Sequence, residues 1–304
     1  MIDRARVREA LTGPVASVPT PFQRDGEIDH AGIRQFVDFV IAGGSRALIL
    51  TFGDSLFSLL SDHEVAEVAR TVIEQSAGRA LVVVADCSWG TPQTVQFARQ
   101  SRALGADLLM VLPPDWANSC EPATLVEHYA AAAGEMPVML ITAVFARRPM
   151  AQALRIIEQV RDQVPGVVAV KDDVVGEFAR RLSLLVYDHW AVVSGGQKQN
   201  HLNAWPYGCD GYFSTFMKFK PAVAWEYWKA ITAGDIPNAR RIIRDYDMPL
   251  FDYILGVPGS FDAALHGILE LYGIAGRWRR KPYYSLSDAD MENLAGFLKG
   301  KGWL

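Results

Sequence analysis

A lysine at the end of an apolar run carries the most pointed chemistry in this chain. Val167-Val168-Ala169-Val170 is a continuous apolar stretch, and Lys171 ends it. Side chains alternate between the two faces of a strand, so Lys171 points either into a packed lining or out of it. Facing inward, an unpaired ammonium is costly, because burial disfavours the charged form. Moving a lysine pKa from about 10.4 to about 7 corresponds to roughly 4–5 kcal/mol, within what desolvation supplies. The neutral amine is then a nucleophile for a carbonyl carbon and can form a Schiff base. The competing reading is a strand-end lysine reaching solvent beside Asp172 and Asp173. Pattern alone leaves the two level.

Other chemistry is less well supported. A metal site needs His and carboxylate ligands converging on one rim. None of His30, His63, His128, His189, His201 and His266 falls at the end of an apolar run. Asp54, Asp172 and Asp173 could hold Mg²⁺, but adjacent carboxylates on a strand usually diverge, so no metal is expected. Ser194-Gly195-Gly196-Gln197-Lys198 resembles a phosphate turn, although a glycine pair is more often only a tight turn. No dinucleotide fingerprint, nucleophile elbow or P-loop occurs, and no cofactor is expected. Arg277, Trp278, Arg279, Arg280 and Lys281 read as a solvated loop or a subunit contact. Trp225, Tyr227 and Trp228 read as helix packing.

The elements that must position these residues repeat along the chain. Short apolar runs occur at Val15–Pro19, Ala47–Thr51, Leu81–Ala85, Asp107–Leu112, Pro137–Ile141, Val167–Lys171, Ala191–Ser194 and Cys209–Ser214. Most are continuous rather than alternating, the pattern of parallel strands covered on both faces. A helical pattern follows each, and eight βα units are what a closed (β/α)₈ TIM barrel requires. Ser61-Asp62-His63-Glu64 predicts a capping box, and Thr91-Pro92 a helix start with proline in first position. Gly43-Gly44, Gly105 and Gly134 predict helix ends. The barrel core is expected over residues 1–220. Residues 221–304 are expected to hold the last barrel helix and a C-terminal helical extension, with helices at Ala222–Ala233, Ile236–Leu255, Ser260–Tyr272 and Asp288–Leu298. Barrel enzymes place their chemistry at the C-terminal ends of the strands, which is where Lys171 falls.

Composition agrees with an enzyme-sized globular chain. It has 304 residues, 50% hydrophobic and 21% charged, with a formal charge of −4. That mild acidity argues against nucleic acid or an anionic membrane as the main partner. Cys87, Cys120 and Cys209 are an odd, scattered set, so no disulfide framework is encoded. Cys87 follows the third run, where a buried small thiol is the ordinary state. No apolar run reaches the roughly 20 residues of a membrane span. Charges in MIDRARVREAL stand where a signal peptide needs an apolar core, so a cytoplasmic location is expected.

The strand-end residues, taken in order, resemble those of the dihydrodipicolinate synthase and N-acetylneuraminate lyase family of class I aldolases. Val18-Pro19-Thr20-Pro21-Phe22, with Asp25-Gly26 and Ile28-Asp29, is similar to that family's first-strand signature. Leu50-Thr51-Phe52-Gly53-Asp54-Ser55 stands in place of its G-T-T-G-E-[SF] motif. Val168-Ala169-Val170-Lys171-Asp172 resembles the strand bearing the Schiff-base lysine. Ser194-Gly195 and Gly211-Tyr212-Phe213-Ser214 resemble the seventh and eighth strands, and Val257-Pro258 and Lys281-Pro282 also fall where related segments lie. The resemblance implies that Lys171 condenses with the ketone of pyruvate or another 2-oxo acid. It also implies that Thr51 helps position substrate, that Phe213 lines the wall beside the imine, and that the protein is a homo-oligomer, dimer or tetramer.

Departures from the family are as informative. A Y-N-x-P segment normally ends strand five, its tyrosine acting as general acid/base; here Leu140-Ile141-Thr142-Ala143-Val144 stands there, with Ile141 in the tyrosine's place. Isoleucine cannot move a proton, a service worth about 10²–10⁴-fold. Phe52 replaces a threonine, Asp54 a glutamate, and Pro114-Asp115-Trp116 a tyrosine pair. Arg147 and Arg148 lie near, but out of register with, a carboxylate-binding arginine. The expected catalytic residues are therefore Lys171 and Thr51, with Asp115, Thr142 or water replacing the tyrosine. Substrate contacts are expected from Phe52, Gly53, Asp115, Ile141, Thr142, Gly195 and Phe213. The expected activity is that of a divergent Schiff-base lyase or hydro-lyase, not an orthodox dihydrodipicolinate synthase. The bulkier, less polar rim of Phe52, Trp116, Ile141 and Phe145 favours a larger or more apolar substrate. Two alternatives remain: a barrel that binds a keto acid or sugar acid without turnover, and an unrelated barrel isomerase or metal-assisted aldolase.

Overall fold

Eight runs rich in Val, Ile, Leu and Ala form strands buried at every residue: β1 (Gly13–Ser17), β2 (Ala47–Ile49), β3 (Leu81–Ala85), β4 (Leu108–Val111), β5 (Val138–Ile141), β6 (Val167–Asp172), β7 (Ala191–Ser194) and β8 (Gly211–Phe213). The computed structural model describes residues 3–304; Met1 and Ile2, which open the expected barrel core, lie outside them. Each strand runs parallel to the next, and β8 pairs with β1, closing a TIM barrel. Burial on both faces is what a continuous apolar run requires, so the reading of these runs holds. β3 and β7 have the expected bounds, and the other strands shift by one or two residues at one or both ends. β1 stops at Ser17, short of Pro19, which has no N–H to give to a ladder.

The N-terminal helix α1 (Arg4–Leu11) precedes β1. It was not among the expected elements, because only Val7 and Leu11 of its residues are buried. Arg4 ties it to the N-terminal ends of β6 and β7 by donating to the carbonyls of His189 and Pro165 at 2.8 and 2.6 Å. The barrel helices follow in order: α2 (His30–Ala42), α3 (Asp62–Ser76), α4 (Thr91–Leu104), α5 (Pro122–Ala133), α6 (Met150–Gln163), α7 (Gly176–Val186), α8 (Gln197–Ala204) and α9 (Pro221–Thr232). The Ser61–Glu64 capping box forms at the start of α3. Thr91 is the first residue of α4, so Pro92 stands second rather than first. Gly105 ends α4 in the left-handed region, at φ +98°, which a side chain would strain.

The C-terminal extension contains α10 (Ile236–Ile242), α11 (Met248–Ile254), α12 (Ser260–Leu271) and α13 (Asp288–Gly300). The single helix expected over Ile236–Leu255 is interrupted by a wide π turn at Ile243–Asp247. Pro249 accounts for it: proline has no N–H for the carbonyl of Asp245, and its ring crowds that carbonyl, so one wider turn absorbs the mismatch. The extension is bolted to α8 by a fully buried ion pair, Lys198 Nζ to Asp247 Oδ1 at 2.6 Å. No helix among the described residues is long and apolar enough to cross a membrane.

Candidate active site

The β5–β6 register sets the centre of the site. Ile141 lies directly beside Lys171 on the neighbouring strand. Lys171 points inward and is 8% exposed. It is not the lone ammonium that the inward reading assumed. Its Nζ donates to both carboxylate oxygens of Asp173, at 2.5 and 2.6 Å. The two sequence readings therefore combine: the lysine faces the lining, and one of the following acids faces it. Asp172 diverges, as adjacent strand carboxylates do. It accepts the Thr142 hydroxyl at 2.9 Å and the N–H groups of Val174 and Val175 at 3.2 Å. Burial pushes the Asp172 carboxyl up, against those three donors. The ring of Phe213 lies 4.9 Å from Nζ, a cation–π contact beside the amine.

The β2 loop forms the second wall. Thr51 Oγ1 accepts the Asp54 N–H at 3.0 Å, and the Thr51 N–H donates to Ser55 Oγ at 3.0 Å. Ser55 in turn donates to the Val18 carbonyl at 2.6 Å, fixing this turn to the end of β1. Asp54 accepts from the Ser17 hydroxyl and, at 2.9 Å, from Lys218 Nζ. Burial raises the Asp54 carboxyl, but Lys218, the Ser17 hydrogen bond and Lys171 outweigh it and hold the carboxyl at about 2. Asp54 is thus a fixed negative charge. Behind Lys218, both ring nitrogens of the buried His266 lack hydrogen-bond partners, Nε2 standing 3.8 Å from Asp262 Oδ1, and burial with the nearby Lys218 charge pushes this imidazole down to about 3.

These walls enclose a cavity of about 340 Å³. Its size suits a small ligand held by a few polar groups. Of the expected residues, Lys171, Thr51, Phe52, Gly53, Ile141, Gly195 and Phe213 line it. Asp115 and Thr142 do not. Asp115 forms a buried ion pair with Arg148, at 2.6 and 3.1 Å, and also accepts the Cys120 N–H. Thr142 has its hydroxyl spent between Asp172 and the Asp173 N–H, at 2.9 and 2.8 Å. Neither is placed to replace the tyrosine. Arg147 is exposed and Arg148 committed, so neither lines the cavity. Cys87 is also outside it, and burial, with Asp86 and Asp62 nearby, pushes its thiol up to about 12.

Ser17, Lys218 and Phe261 line the cavity without having been singled out in the sequence, and Asp173 and Gln197 line it without having been given a role. Asp173 was visible but read as solvated. Lys218 sits in a short turn, Thr215–Lys218, whose contacts no local pattern announces. Gln197 adopts φ +63° and accepts the Thr215 N–H at 2.9 Å, joining the β7 and β8 loops. Phe261 comes from α12 of the C-terminal extension, which therefore closes the site. Among the described residues, no three of His, Cys, Asp and Glu converge as metal ligands.

The chain matches the family model described as the dihydrodipicolinate synthetase family over residues 10–301. It is 27% identical to the Streptomyces coelicolor protein named "Probable 5-dehydro-4-deoxyglucarate dehydratase 2", covering 96% of this chain and 91% of that one. It is 31% identical to the 4-hydroxy-tetrahydrodipicolinate synthase of Thermomicrobium roseum, over 95% and 94% of the two chains. In fold it matches the crystal structure of dihydrodipicolinate synthase from Oceanobacillus iheyensis, with a TM-score of 0.85 and 19% identity over 99% and 100% of the chains. A strand-end lysine in a TIM barrel and a family match spanning nearly the whole chain agree: the protein belongs to the dihydrodipicolinate synthetase family, a family of class I aldolase-type lyases.

Proposed function

We propose that the protein is a Schiff-base-forming lyase, an aldolase or hydro-lyase, acting on pyruvate or another 2-oxo acid. The observation that carries this reading is the inward-facing Lys171, 8% exposed, opening on a cavity whose opposite wall offers fixed polar groups. Its amine attacks the keto carbon of the substrate, and the resulting protonated imine draws electrons from the neighbouring bond. Loss of a carbon fragment or of water then follows. Thr51 and the turn of Phe52 and Gly53 position the substrate, Phe213 flanks the imine, and Gly195 leaves room beside it. The apolar lining from Phe52, Leu112, Ile141, Phe213 and Phe261 favours a substrate with a larger carbon skeleton than pyruvate alone. The relative named "Probable 5-dehydro-4-deoxyglucarate dehydratase 2" supports the hydro-lyase branch, with a sugar-derived 2-oxo acid as substrate. A homo-oligomer, dimer or tetramer, belongs to the same reading; light scattering on the purified protein tests it.

The test is to incubate the protein with 3-deoxy-2-oxo sugar acids and to follow pyruvate release or water loss by proton NMR. Turnover that disappears in Lys171→Ala supports the reading, and turnover that survives the substitution refutes it. One observation favours a second reading, binding without turnover. Ile141, directly beside Lys171, cannot carry a proton. Saturable ligand binding with no product from any acid in the panel would establish that alternative instead.

A further inference from the structure

The family's tyrosine position is filled by Ile141, and the two sequence-level substitutes, Asp115 and Thr142, are both engaged away from the cavity. What remains beside the reacting nitrogen is one carboxylate. Asp173 presents both oxygens to Lys171 Nζ, at 2.5 and 2.6 Å, and lines the same cavity. The other charged groups of the cavity, Asp54 and Lys218, are paired with each other at 2.9 Å. We propose that Asp173 is the general acid/base of imine formation, in place of a strand-five tyrosine. The assignment rests on the Schiff-base reading.

The surrounding structure is built to hold that carboxylate in place. The Asp173 N–H donates to Thr142 Oγ1 at 2.8 Å, fixing the backbone just past β6. The Gly195 N–H donates to the Asp172 carbonyl at 2.7 Å, bringing the β7 loop against the same turn. A Cβ on Gly195 would lie 1.9 Å from Asp173 Oδ1 and 2.9 Å from the Asp172 carbonyl oxygen. Only glycine at 195 leaves the space that the carboxylate occupies. Nearby Val175 adopts φ +60°, a costly conformation for a β-branched residue that persists only where its surroundings enforce it.

The proton balance closes with one carboxylate. Asp173 takes a proton from the Lys171 ammonium, exposing the nitrogen lone pair. The nitrogen adds to the keto carbon, the C–N bond forms, and the carbonyl π pair moves to oxygen. Asp173 relays protons from nitrogen to that oxygen, which leaves as water while the nitrogen lone pair forms C=N. Two of the three ammonium protons depart in the water, one remains on the iminium nitrogen, and Asp173 ends as the carboxylate it began as. The carboxylate is then opposite the iminium charge.

The experiment measures the rate of borohydride-trappable adduct formation with pyruvate and with larger 2-oxo acids in quench-timed samples of the full-length protein. Four proteins are compared: wild type, Asp173→Asn, Asp173→Glu and Gly195→Ala. Asparagine keeps a hydrogen-bonding side chain but cannot take a proton, so Asp173→Asn should slow adduct formation by about 10²–10⁴-fold. Asp173→Glu, which restores a carboxylate, should recover most of that loss. Gly195→Ala leaves residue 173 unchanged but displaces its carboxylate, and should slow the reaction in the same direction. Melting curves identify any variant that fails to fold, and the other two variants then decide the question. If wild type forms the adduct and folded Asp173→Asn forms it equally fast, the Asp173 assignment is overturned and the Schiff-base reading stands. If wild type forms no adduct with pyruvate or with any larger 2-oxo acid, the Schiff-base reading fails, and the assignment fails with it.

Discussion

Replacing Lys198 with methionine isolates the worth of a charge pair hidden between the barrel and its extension. Both side chains of the Lys198–Asp247 pair are completely buried, and Asp247 Oδ2 has no partner of its own. Burial pulls the lysine down and pushes the carboxyl up, each resisted by its partner. Lys198→Met therefore strands a buried carboxylate, a loss of about 3–5 kcal/mol. An unfolding entropy of about 2.1 cal/mol/K per residue gives about 0.6 kcal/mol/K for this chain. The expected fall in Tm is then about 5–8 °C, read by differential scanning calorimetry at pH 8. Without Lys198, the Asp247 carboxyl rises further, so the folded state holds a proton that the unfolded state releases. A carboxyl whose folded pKa is raised gains stability as pH falls, so the deficit should shrink between pH 8 and pH 5. Adding Asp247→Leu removes the stranded charge and should return Tm to near or above wild type. If the double variant is as unstable as the single one, or the deficit ignores pH, the loss comes from packing and the electrostatic account is wrong.

Other expectations follow from the same geometry. Asp54 is held at about 2 against its burial, so its stabilising contribution is present above about pH 4 and is lost as pH falls toward 2. Lys218→Met removes the strongest opposing charge, so the Asp54 carboxyl should rise and the acid limb of the stability curve should move to higher pH. An unchanged acid limb would contradict the pairing. Asp115→Asn leaves Arg148 unpaired in a dry site and should cost about 3–5 kcal/mol while pyruvate still modifies the protein on borohydride treatment. Normal stability with lost modification would return Asp115 to the reacting centre.

The parts that were legible in the sequence were those encoded locally. Continuous apolar runs gave the strands because both faces of a barrel strand are covered, and a covered face leaves no alternation to misread. Lys171 was legible for the same reason, as a charge closing such a run. The Ser61–Glu64 box and Gly105 were legible because capping is a matter of a few adjacent residues. What was not legible depended on partners distant in sequence. Arg148 claims Asp115 from 33 residues away, and Lys218 reaches Asp54 across 164. Phe261 reaches the cavity from a helix beyond the barrel. Asp173 looked like the solvated neighbour of a lysine, and only the inward turn of both side chains makes it part of the site. The π turn escaped because the helical period continues through it, while Pro249 acts on the backbone.

The role of Lys171 as nucleophile is tested most directly by locating a reduced adduct. The protein is treated with borohydride in the presence of pyruvate and of larger 2-oxo acids, weighed intact, digested, and sequenced by tandem mass spectrometry. A ligand-dependent secondary amine is expected on Lys171, and none in Lys171→Ala. An adduct confined to Lys198, Lys218 or surface lysines, or no adduct with any acid in folded protein, would contradict that role.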